Sequence, residues 1–123
     1  MEASTTGQAS DVQRAVVSLI SKSAKALEKL RPGTWQRTML QDNLRALNIG
    51  AALMETENRE TDHLTVHDRR EALRALARMI SKTRKAHAQF AAGTSQHTLL
   101  RNRLQALRAV EARIRMSLGT RSA

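Results

Sequence analysis

The sequence predicts an all-α fold, a four-helix up-down bundle built from two tandem-duplicated αα-hairpins. Three observations predict it. Residues 10–54 and 70–114 align without a gap at an offset of 60 positions, with 16 identities in 45. Apolar residues recur at three- and four-residue spacing through both copies, with no useful run of period-two alternation. A Gly-Thr pair, Gly33-Thr34 and Gly93-Thr94, stands at the same point of each copy, between two such stretches. A repeat of this length sets the architecture before any local reading.

Taken in order, residues 1–9 are small and polar and are expected as a disordered N-terminal tail. The first helix, residues 10–31, carries Val12, Val16, Leu19, Ile20, Leu27 and Leu30 on one face. Pro32 and Gly33 stop it, and Thr34 is placed to cap the next helix. The second helix, residues 34–57, carries Leu40, Leu44, Leu47, Ala51 and Met54. A stop followed at once by a start folds the pair into an αα-hairpin with almost no loop.

The connector, residues 55–68, holds Glu55, Glu57, Glu60, Asp62 and Asp68 against Arg59 alone, with Thr65 or Asp68 near the next helix cap. The third helix, residues 66–92, repeats the first stripe as Leu73, Leu76, Ile80, Thr83, His87 and Phe90. The fourth, residues 95–118, repeats the second as Leu100, Leu104, Leu107, Val110, Ile114 and Leu118, and 119–123 form a C-terminal tail. One domain over 10–118 results, hairpin one at 10–57 and hairpin two at 66–118. A hairpin of this size cannot bury its apolar face alone, and the second copy supplies the missing partner.

Cysteine is absent, which removes disulfides and thiolate metal sites. No signal-peptide pattern opens the chain and no apolar run reaches membrane-spanning length, so the expected location is cytoplasmic. No Gly-rich phosphate loop, nucleophile–base pair or inward carboxylate pair occurs; no enzyme and no cofactor are expected. Ser21 and Ser81 precede Lys25 and Lys85 by four, but these residues lie off the core face.

Charge is the informative quantity. The net of +10 is split between 8 Lys/Arg and 7 Asp/Glu in residues 1–60, and 13 Lys/Arg and 4 Asp/Glu in residues 61–123. Arg70, Arg74, Arg78, Lys82 and Lys85 form a stripe opposite the Leu73/Leu76/Ile80 face, and Arg101, Arg108 and Arg115 flank the last apolar stripe. A fixed row of cations matches an acidic protein or a nucleic-acid phosphate backbone. Arg14/Arg74, Lys22/Lys82 and Lys25/Lys85 are identical between the copies. The leading expectation is a non-enzymatic interaction or adaptor module docking an acidic partner through its basic second hairpin, with a homodimer among the arrangements the pattern allows. The alternative is a duplex-backbone binder. One Trp, one Phe and no Tyr argue against a base-stacking platform.

Four smaller features need placing. Thr34, Gln36, Thr94 and Gln96 at the corners are candidates for an anion site on helix amides, although capping alone explains the threonines. His63 and His67, four apart, are weak metal candidates, and the expectation is no metal. His87 takes a core-stripe position that holds Leu27 in the first copy, and Glu111 is expected to pair with an arginine. Trp35 is expected to staple against Leu27 or Leu30, with an exposed interface anchor as the other reading.

Overall fold

The structure, a computed structural model, describes residues 2–55 and 63–122, with side chains described from Asp11 to Glu55 and from His63 to Gly119. The described residues form four α-helices and no strand: α1 (Glu2–Glu28), α2 (Trp35–Met54), α3 (Val66–His87) and α4 (Ser95–Ser122). Residues 56–62 of the connector lie outside the described residues. No described helix is long and apolar enough to cross a membrane.

The helix ends follow from local chemistry. Gly33 and Gly93 have φ of 84° and 91°, the left-handed region that glycine enters without a Cβ clash. Ahead of them the helices tighten: Leu30 donates to Leu27 and Phe90 to His87, both three residues back. This tightening satisfies terminal carbonyls and ends α1 at Glu28 and α3 at His87, short of the expected 31 and 92. After each glycine a threonine hydroxyl accepts from the amide three residues on, Arg37 for Thr34 at 3.3 Å and His97 for Thr94 at 3.1 Å. Thr65 opens α3 with a capping box, its hydroxyl taking the Asp68 amide while the Asp68 carboxylate takes the Thr65 amide.

At the chain ends the helices run further than the sequence suggests. The backbone of residues 2–9, expected as a tail, continues α1, and 119–122 continue α4. Neither stretch contains proline, so nothing interrupts the backbone ladder.

α2 and α4 form the centre. Each touches both α1 and α3, they touch each other, and among the described residues the backbones of α1 and α3 stay apart. Val16, Leu47, Leu76, Leu107, Val110 and Ile114 are fully buried, each contributing about 1.5–3 kcal/mol of apolar burial. Small residues bring the helices close: Ala46, Ala75 and Ala106 are buried, and a Cβ on Gly50 would overlap Val110 Cγ1. Gly50 and Val110 are 60 positions apart, the offset of the repeat. Equivalent positions of the two copies therefore face each other across the α2–α4 contact.

Candidate anionic-partner interface

All eight cations expected to meet an anionic partner, namely Arg70, Arg74, Arg78, Lys82, Lys85, Arg101, Arg108 and Arg115, are exposed. Two are engaged along their own helix: Arg74 with Glu71 at 3.1 Å and Arg115 with Glu111 at 3.7 Å. These exposed pairs are worth about 0–1 kcal/mol and give way easily. The Glu111 pair answers the expectation for that residue. Among the described residues, the remaining six have no carboxylate within ion-pair distance. The stripe fans across α3: Arg78 borders a polar cleft with Asp42, Asp68 and Glu71, whereas Lys82 borders a hollow walled by all four helices.

Part of the basic excess holds the fold. Arg69 is buried at 4% exposure and donates to the Leu64 carbonyl at 2.7 Å. Arg113 donates from Nε to the Leu53 carbonyl at 2.6 Å, at the end of α2. Arg37 reaches back across the first corner to the Leu27 and Leu30 carbonyls at 2.9 and 3.0 Å. Guanidinium groups on terminal helix carbonyls satisfy orphan acceptors and complement the helix dipole. Sequence reasoning counted these arginines as charge. The signal that marks Arg37 and Arg113 is their place opposite a helix C-terminus, readable only with the fold in hand.

The corner threonines are occupied by the corners. Thr34 donates to the Arg31 carbonyl at 2.9 Å and Thr94 to the Ala91 carbonyl at 2.8 Å, while each accepts a cap bond. Gln36 and Gln96 are exposed, and Gln96 takes a bond from Ser95. These hydroxyls thus serve capping and corner geometry, with Thr38 adding a bond to the Thr34 carbonyl at 3.3 Å.

His63 and His67 part company. His63 lies in the turn before α3 and borders a cleft with Leu27 and Leu44, whereas His67 is on α3 and borders a different cleft, with Asp42 and Asp68. The helical i,i+4 geometry behind the metal expectation is therefore absent. Among the described residues no group of three His, Cys, Asp or Glu could hold a metal ion.

His87 finds a partner that the sequence left open. Its ring packs on His97 with centroids 4.1 Å apart, and its Nε2 is buried without a hydrogen-bond partner among the described residues. Burial, then the neighbouring His87 and Arg101 charges, lowers the His97 pKa below its ordinary value. His87 and His97 hold the positions of Leu27 and Arg37 in the first copy, so the two corners close by different chemistry at one location.

Trp35 corrects the staple expectation: it is 69% exposed. A staple joins the residue before the cap to the fourth helical residue, here Gly33 and Thr38, and Trp35 occupies neither position. Phe90 and Leu99, beside the second corner, are 40% and 50% exposed. Comparison with protein-family models, with curated proteins and with solved structures finds no match to the chain.

Proposed function

We propose that this chain is a non-enzymatic adaptor, two duplicated αα-hairpins in up-down-up-down order, whose basic second hairpin docks an acidic protein. One observation carries the reading. Arg70, Arg78, Lys82, Lys85, Arg101 and Arg108 are exposed and have no ion-pair partner among the described residues. Such a surface attracts and orients an anionic partner. The exposed Trp35, Phe90 and Leu99 favour a protein over a duplex, because aromatic and large apolar side chains are protein-interface anchors.

The test is anisotropy with labelled polyglutamate and with a labelled random-sequence duplex, at low and near-physiological salt. The wild type is set against a variant carrying Glu at Arg70, Arg78, Lys82 and Lys85. Polyglutamate binding that persists near physiological salt and is lost in the variant supports the adaptor. Duplex binding that persists there with a steep salt slope, while polyglutamate dissociates, overturns it in favour of nucleic acid.

A further inference from the structure

α2 and α4 meet where Gly50 admits Val110, and on the corner side of that contact the bundle is hollow. The cavity is about 330 Å³ and is walled by all four helices. Its lining comes in repeat pairs: Leu40 with Leu100 and Leu47 with Leu107 from the central helices, Leu19 with Met79 from the outer ones. The polar lining is paired as well, Lys22 with Lys82 and Ser23 with Thr83. Arg103 adds a third cation, and among the described residues no carboxylate lines the space.

We infer that this hollow is a binding site for a small amphiphilic anion, an acidic headgroup on a short hydrocarbon body. Size fits first, since ligand cavities span about 300–1,000 Å³ and form between the helices of bundles. Polarity fits next: leucine and methionine walls receive hydrocarbon, and three cations without an opposing acid select an anionic head. Lys22 and Lys82 are exposed, so they stand at the opening while the leucines lie deeper. The two hydroxyls differ. Thr83 is 7% exposed and donates to the Met79 carbonyl at 2.7 Å, whereas Ser23 has no partner among the described residues and is free to donate to a headgroup. The pairing also accounts for a sequence fact. Lys22 and Lys82 are identical between copies because both face one shared space, where both contribute to the same ligand.

This inference shares Lys82 with the docking surface but concerns a different ligand and a space walled by all four helices, and its probes are small amphiphiles rather than a polyanion. Decanoate, decanol and decyltrimethylammonium are titrated below their micelle concentrations and followed by calorimetry and by methyl shifts of Leu47, Leu100 and Leu107. Decanoate is expected to bind one to one and shift those methyls, with decanol about tenfold or more weaker and the cation weaker still. Replacing Lys22 and Lys82 with alanine, at exposed positions that leave the fold intact, is expected to bring decanoate down to the decanol level. Leu100→Trp, which fills the space, is expected to abolish binding of both. Equal affinity for decanoate and decanol overturns the anionic specificity, and unmoved methyls with all three probes overturn the site.

Discussion

Arg113 donates from Nε to the carbonyl of Leu53, and these two residues occupy the same position in the two copies of the repeat. The second copy thus places a guanidinium where the first presents a helix end. Arg113→Met keeps the aliphatic stem but leaves that carbonyl without its donor. It is expected to lower unfolding free energy by about 1–3 kcal/mol. Arg108→Met, at an exposed cation with no described partner, should change it by less than about 0.5 kcal/mol. Urea denaturation of both variants checks the contrast.

Gly50→Ala tests the α2–α4 contact. On an open helix this change would stabilise by about 0.5–1 kcal/mol. Here the new Cβ overlaps Val110, so overpacking is expected to win, with a net loss of about 1–3 kcal/mol. Pairing it with Val110→Ala removes the overlap, and the double variant should be more stable than the sum of the single effects. A double-mutant cycle by denaturant midpoint decides.

His97 makes stability depend on pH. Its folded pKa lies below the ordinary 6.5, chiefly through burial, with His87 and Arg101 adding to the shift. Above that value the ring is neutral in both states. As pH falls through 6.5 the unfolded chain takes up a proton that the folded chain resists, so stability drops until the lower folded value is passed. Thermal melts near pH 7.5 and pH 5.5 should show this drop, and His97→Gln should reduce it.

The start of α3 responds to acid in a lower window. Asp68 is held below its ordinary 3.8, first by the Thr65 amide hydrogen bond, with the Thr65 hydroxyl and the Arg45 and His67 charges assisting against desolvation. Its contribution is present above 3.8 and is lost as pH falls through the folded value. Asp68→Asn should therefore flatten the acid limb of the stability profile. Thr65→Ala should cost about 1 kcal/mol at neutral pH. Melts across the acid range, with hydrogen exchange at the first turn of α3, measure both.

The helices and corners were legible because their signals are local: apolar spacing, a glycine that must turn left-handed, and a threonine beside it. The close α2–α4 approach was not. It rests on Gly50, Ala46 and Ala106, which carry little hydrophobic signal and matter for the bulk they lack. Charge was legible as an amount and misleading as a location. Arg70 and Arg78 are exposed as their spacing predicts, yet Arg69, directly before Arg70, is buried on the Leu64 carbonyl. Trp35 was misplaced because helical spacing says nothing about which way the first residue after a cap faces. The hollow was invisible in sequence, since its walls are the same leucines that read as core.

The Gly50–Val110 contact also sets which hairpins can pair. Matching positions of the two copies meet there, so two first hairpins would oppose glycine to glycine and leave a gap. Two second hairpins would drive valine against valine. Only unlike hairpins seat a knob in a hole, whether they belong to one chain or to two chains exchanging halves. At this contact, discrimination between the related halves rests on one isopropyl group and the space opposite it.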